Sequence, residues 1–335
     1  VAARESVPHA CKLVAGRLRC KNKLLTHEVE DAMTQPVMVS PETSAVFCWP
    51  KARSVQPGAR HMHTETSHVM PWRIEDIDLS RIDLQKAQSN EHLLLLLCAC
   101  SFIESGTDLY TSNLSKYFHD DPEISAWLNT EWEPEEMQHG RALKTYINYV
   151  WPEFDWDRAF KSFFDEYSLT CSYEAFEKKR ALEMVARCVV ETGTATLYRA
   201  INDCSNEPVL KEITDNIRTD EVRHYKHFFR FFKKWNKIEG NGRIAVLGAL
   251  IRRVAELKSE DSEIALRHVF AVRYPEHAQD SNYNRELSAR VNALVRRNLS
   301  ADQAIKMLLK PLDLPARIQP GVHYPLSKMT QLFFR

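Results

Sequence analysis

The stretch "EWEPEEMQHG", residues 131–140, sets two adjacent glutamates, Glu135 and Glu136, just ahead of His139. On a helix, residues i and i+3 share a face, so Glu136 and His139 project together as an oxygen and a nitrogen ligand. One E-x-x-H proves little, because roughly one is expected by chance in a chain of this length. Glu65 and His68 in "ETSH", close before Pro71, form such a decoy. What matters is whether Glu136 and His139 have company.

A second copy lies in "TDEVRHYKH", where Asp220 and Glu221 precede His224. Two further glutamates close apolar runs: Glu104 in "SFIESGTDLY" and Glu191 in "CVVETGTATLY". Both stretches read apolar-apolar-Glu-Ser/Thr-Gly-Thr and then reach Leu-Tyr, at Tyr110 and Tyr198. An acid followed by proline comes next in each, Asp121-Pro122 and Glu207-Pro208. The chain therefore carries an internal duplication. Glu104 and Glu136 are 32 residues apart and Glu191 and Glu221 are 30 apart, the span of two antiparallel helices joined by a short loop. The 55 residues from Glu136 to Glu191 leave room for a long crossover.

A Glu from each of two helices, with Glu-x-x-His from each of the other two, is the ligand pattern of carboxylate-bridged di-metal sites in ferritin-like bundles. Glu104, Glu136, His139, Glu191, Glu221 and His224 are the expected metal ligands. Four carboxylates and two imidazoles suit iron or manganese better than zinc or magnesium. Glu104 directly follows "LLLLLCACSFI" (93–103), a run apolar on every side and expected to be buried. A lone buried carboxylate costs several kcal/mol, so Glu104 needs a partner. Glu183, two turns before Glu191 on nearly the same face, competes for the same role, and the repeat with Glu104 favours Glu191. Asp220 and Glu135, each preceding a ligating Glu, are placed to orient the histidines through their second ring nitrogen. Gly106 and Gly193 read as mid-helix glycines that permit close packing or leave room beside the cluster.

Composition agrees with an all-α chain. Its 335 residues hold only 9 glycines, which favours long helices over folds rich in tight turns. Hydrophobic residues make up 44% and charged residues 27%, a globular mixture. Lys+Arg and Asp+Glu both total 45, which makes no case for nucleic acid or a membrane surface. The eight cysteines contain no C-x-x-C pair, which removes thiolate zinc and thioredoxin chemistry and fits a reducing cytoplasm. The longest apolar run is too short to span a bilayer, and no secretory h-region is visible.

The expected architecture is a ferritin-like four-helix bundle with a long crossover and additional C-terminal helices. Residues 1–70 lack periodicity and read as a poorly ordered extension, with His61, His63 and His68 forming no built site. The bundle occupies 71–240. Its first helix runs from an N-cap at Ser89 to about Leu114. The second is opened by Asp120-Asp121-Pro122 and runs to Val150, with an irregularity at Pro134. An aromatic connection with its own short helix fills 152–170. The third helix runs over about 172–202, and the fourth over 207–237, closed by Gly240. Residues 241–335 form a C-terminal helical extension with three amphipathic helices between 243 and 310.

These residues resemble the soluble acyl-ACP desaturases, a branch of the ferritin-like di-iron oxidases. "WEPEEMQHG" has the family's Trp, two residues, then Glu-Glu-x-x-His-Gly, with Trp132 in the Trp position and expected to pack beside the ligands. "DEVRH" is similar to the family's Asp-Glu-x-Arg-His, and Thr194 matches a family threonine beside the cluster. The resemblance covers about residues 89–240. It implies two iron ions, with manganese as the alternative metal, and O2 as co-substrate. It further implies desaturation or hydroxylation of an apolar or acyl-carrier-tethered substrate, with Thr194 as the catalytic proton relay. A ferredoxin-like electron donor, a homodimer and a cytoplasmic location complete that expectation, and Arg252, Arg253, Arg296 and Arg297 are candidates for docking an acidic carrier. The duplicated Glu-Ser/Thr-Gly-Thr also resembles rubrerythrin-like proteins. The alternative is therefore a ferroxidase or peroxide-scavenging iron protein without an organic substrate.

Overall fold

The computed structural model describes residues 69–171, 176–256, 260–318, 321 and 323–324, and every regular element among them is helical. The extension expected over 1–70, with Glu65 and the three histidines, lies outside the described residues except for 69 and 70. Short turns at Ile74–Asp76 and Leu79–Arg81 lead through α1 (Leu84–Gln88) to α2 (Glu91–Ser105). Asn90, not Ser89, caps α2, accepting from the Leu93 N–H at 3.3 Å. The Ser89 hydroxyl instead donates to the Lys86 carbonyl.

The single first helix expected to Leu114 is broken. α2 stops at Gly106 (φ −95°, ψ 6°) and α3 (Thr107–Tyr117) starts afresh. Gly106 is thus a joint rather than a mid-helix residue, and the Tyr167 ring lies 3.2 Å from where a Cβ would stand. By length and composition Glu91–Tyr117 is apolar enough to cross a membrane, so the eleven-residue run understates it. Yet 72% of its apolar window is buried inside the protein, against α5 (Glu133–Val150), α6 (Trp156–Thr170) and α10 (Glu260–Arg273). That is the environment of a core helix.

The second helix shows the irregularity expected at Pro134. Asp121 caps α4 (Pro122–Trp127), accepting from the Ile124 N–H. α4 runs through a π-helical turn, Leu128–Trp132, into α5. Proline has no N–H to give the carbonyl four residues back. The ladder widens beside it, with the Glu133 N–H reaching the Leu128 carbonyl. The turn also repairs the phase of the duplication. Pro122 and Glu136 are 14 residues apart, whereas Pro208 and Glu221 are 13 apart. One extra residue would rotate Glu136 by about 100° away from its counterpart's direction. A π turn carries one residue more than an α turn and absorbs it.

α7 (Arg180–Cys204) begins later than the expected 172, because its start is capped from a distant place. Glu239 accepts from the Arg180 and Ala181 N–H groups at 2.8 and 3.2 Å. α8 (Pro208–Glu239) is capped by Glu207, which accepts from Val209 and Leu210, and it ends at left-handed Gly240 (φ 64°). Between 243 and 310, where three were expected, the described residues form four α-helices: α9 (Arg243–Glu256), α10, α11 (Ser281–Asn298) and α12 (Ala301–Leu309). Neither Gly nor Pro marks the breaks before α10 and α12. α2 lies along α5 and α7 along α8, and α5 meets α8. α10 covers α2 and α6, while α9, α11 and α12 lie on α7.

α2 and α5 approach most closely at Gly140, whose carbonyl accepts from the Ser101 hydroxyl at 2.9 Å. A Cβ at Gly140 would stand 2.7 Å from the Ser105 backbone nitrogen and collide with its side chain. Backbone cannot yield as a flexible side chain does, so Gly140→Ala should destabilise the fold by roughly 1–3 kcal/mol. Urea unfolding of the variant checks this; an unchanged midpoint would mean the two helices are not in close contact there.

Candidate metal centre

Four helices each bring one or two ligands to a common point: Glu104 from α2, Glu136 and His139 from α5, Glu191 from α7, and Glu221 and His224 from α8. They form two overlapping groups. Glu104, Glu136, His139 and Glu221 offer ligand atoms within 4.8 Å of one another, as do Glu136, Glu191, Glu221 and His224. Glu136 and Glu221 belong to both, so each is placed to bridge two ions. All six are buried, Glu104 being the most exposed at 6%. Glu183 is not among them: it is fully buried against Arg187 at 2.9 Å and accepts from the Glu177 N–H.

The electrostatics are those of carboxylates forced together. Burial, then the charges of Glu136 and Glu221, push the Glu104 carboxyl well above its ordinary range. Burial and Glu221 do the same to Glu191. Burial would also raise Glu136, but its contacts with His139 and His224 outweigh it and hold Glu136 low. Burial would depress both histidines, but their carboxylate neighbours outweigh it and hold both well above the usual imidazole value. Without a metal, protons are the cations that balance this cluster.

An outer layer aims the imidazoles. His139 Nε2 lies 3.1 Å from Asp220, and His224 Nε2 lies 2.6 Å from Glu135. Each acid thus anchors the histidine carried by the other helix. With Nε2 given to an anchoring carboxylate, Nδ1 turns inward. His139 Nδ1 is 3.3 Å from Glu221, and His224 Nδ1 is 2.9 Å from Glu136. Arg223 spans the two anchors, 2.8 Å from Asp220 and 2.5 Å from Glu135. Trp72 donates to Asp220 at 2.7 Å and stacks on the His139 ring, centroids 6.3 Å apart. Trp132 packs its edge on His224 at 6.5 Å. Thr194 donates to Glu221 at 2.6 Å and Tyr198 to Glu104 at 2.5 Å.

Sequence reasoning missed three of these. Arg223 stands inside the "DEVRH" motif and carried a readable signal, whereas Tyr198 read as an ordinary core aromatic. Trp72 comes from an aperiodic segment before the first long helix, where no pattern points inward.

The residues present fit a pair of metal ions. His139 Nδ1, His224 Nδ1, Glu191 Oε2 and Glu221 Oε1 are buried and, among the described residues, meet only one another and Glu136 with no well-formed hydrogen bond. Buried polar atoms in a folded protein are rarely left so, and these four are ligand atoms of the two groups. The donor set of carboxylates and imidazoles suits iron or manganese. Compared with protein-family models and with curated proteins, the chain matches none.

The purified protein should bind about two ions per chain. Glu136→Ala and Glu221→Ala should each remove most of both, because each carboxylate belongs to both groups, whereas Glu104→Ala should spare one. Metal analysis finding full occupancy in both bridging variants would remove the assignment. The raised histidine and glutamate protons must leave as metal enters, so binding should release protons and weaken as pH falls. Titration in buffers of different ionisation enthalpy measures that release.

Proposed function

We propose that this chain is a ferritin-like di-iron protein and an O2-dependent oxidoreductase, acting on an apolar, acyl-carrier-tethered substrate by desaturation or hydroxylation. The observation that carries this reading is the pair of overlapping ligand groups that share Glu136 and Glu221. The likeness of its motifs to those of soluble acyl-ACP desaturases supports the reaction class. Iron held there would supply the Lewis acidity and electron transfer that activate dioxygen.

The protein's own residues supply the rest. Glu136 and Glu221 hold the two positions at a fixed separation, while Asp220 and Glu135 fix the tautomer and direction of the histidines. Burial of all six side chains keeps bulk water from the cluster and would limit side reactions with solvent there. The Thr194 hydroxyl, 2.6 Å from Glu221, keeps a transferable proton at the cluster's edge. Reducing O2 to water takes four electrons. Desaturation removes two with the hydrogens of the substrate, and a ferredoxin-like donor delivers the other two.

The alternative is a ferroxidase or peroxide-scavenging iron protein, which the duplicated Glu-Ser/Thr-Gly-Thr supports. A surface cavity of about 300 Å³ is lined by Glu153, Asp155 and Arg158 among others. An apolar groove of about 430 Å³ lies between α9 and α12, lined by Leu247, Ile251, Val254 and Leu309 among others. Neither includes a ligand residue. Arg252 is engaged by Glu177 at 2.8 and 2.9 Å, so any carrier docking there has to compete with that pair.

Thr194→Val separates the two readings, because it keeps shape and removes the hydroxyl. The variant should still bind iron. With a candidate acyl-carrier substrate, it should uncouple O2 uptake from substrate oxidation and release hydrogen peroxide, while Fe(II) oxidation without organic substrate changes much less. Wild-type protein that turns over Fe(II) or peroxide repeatedly, with no acyl substrate ever altering its rate, would decide for the alternative.

A further inference from the structure

The duplication supplies an internal control on the cluster. Each half contributes one Glu, one Glu-x-x-His and a run of hydroxyl-bearing residues after the first Glu. Equivalent halves would bring equivalent hydroxyls to the ligands, and they do not. From α7, Thr194 reaches Glu221 and Tyr198 reaches Glu104. In the first half, the position seven residues after the Glu is Thr111, whose hydroxyl donates to the Thr107 carbonyl at 2.9 Å. Tyr110 follows Glu104 by six residues, whereas Tyr198 follows Glu191 by seven. On a helix that difference is about 100° of rotation. The Tyr110 hydroxyl is buried without a hydrogen-bond partner, and the Arg187 guanidinium lies 4.6 Å from its ring centre. So the Glu104 carboxyl has a phenol donor, while among the described residues no hydroxyl reaches Glu191, whose Oε2 faces His224 Nδ1 at 3.6 Å.

We propose that Tyr198 is a positioning residue that makes the two metal positions unequal, locking Glu104 on the His139 side while Glu191, on the His224 side, has no matching hydroxyl donor. The inference rests on the metal-centre reading above. A buried phenol hydroxyl 2.5 Å from the carboxyl holds its acceptor oxygen in place. Glu104 then presents its ion with a fixed donor. Glu191, lacking such a donor, would be the more adaptable of the two carboxylates, and the ion it would hold with His224 would be the one more open to a small exogenous ligand.

Cobalt(II) titration of the metal-free protein tests this, with calorimetry giving stepwise affinities, visible absorption reporting each ion, and azide probing for an open position. Wild type should bind two cobalt ions with unequal affinity, and azide should shift the bands of one only. Tyr198→Phe should weaken the tighter step by roughly tenfold or more, bring the two steps together, and let azide perturb both ions. Tyr110→Phe, which removes the counterpart hydroxyl, should change neither step. Two cobalt ions bound with equal affinity in wild type would overturn the inference, as would a Tyr198→Phe protein with unaltered steps and azide response. Should that variant not fold, azide perturbing both wild-type ions overturns it alone. A wild type that binds no cobalt overturns the metal centre itself, and this inference with it.

Discussion

Four carboxylates enclosed at one point among helices cannot all stay charged without cations, and much of the structure is arranged around that constraint. Two unit charges 4 Å apart repel by about 4 kcal/mol even at an effective dielectric near 20. Burial and like charge push the Glu104 and Glu191 carboxyls up, and the surrounding carboxylates push both histidines up. Two divalent ions would balance the same charge. The anchors Asp220 and Glu135 would add to the negative charge, and Arg223 between them offsets it from the outer side. Ligands, anchors and counter-charge thus form one network. Loss of any member leaves a buried charge without its partner, which is costlier than the net worth of the pair.

The second constraint is phase. A ligand on a helix is useful only if it faces inward, and a single residue more or less turns it by about 100°. The two halves differ in length in several places, and the structure handles each difference locally. The π turn at Leu128–Trp132 absorbs the extra residue before Glu136. The joint at Gly106 ends α2 immediately after Glu104, so the shorter spacing to Tyr110 does not disturb the ligand. The cost of that second solution is symmetry, since Tyr110 no longer reaches the position that Tyr198 occupies in the other half. A duplicated sequence has in this way produced a cluster whose two sides have different hydrogen-bond support.

The sequence by itself determined the helical class and the six residues that meet in the buried cluster. An E-x-x-H pair, an acid-proline helix start and a glutamate closing an apolar run are local patterns, and each appears twice, so chance is a poor account of Glu104, Glu136, His139, Glu191, Glu221 and His224. The anchoring acids were legible for the same reason: Asp220 and Glu135 each adjoin a ligand. Periodicity could not show which histidine each acid holds, because the pairing crosses from α5 to α8 and depends on how those helices meet. The late start of α7 was hidden likewise, since its cap is Glu239, distant in sequence. Trp72 lies in a stretch with no period at all and acquires its role only by docking on Asp220 and His139. Breaks without Gly or Pro, before α10 and α12, left no mark in composition. Side-chain identity and short-range spacing are written along the chain. Which remote groups complete a cap, an anchor or a hydrogen bond is decided by packing, since only the folded backbone brings them within 3 Å or so of one another.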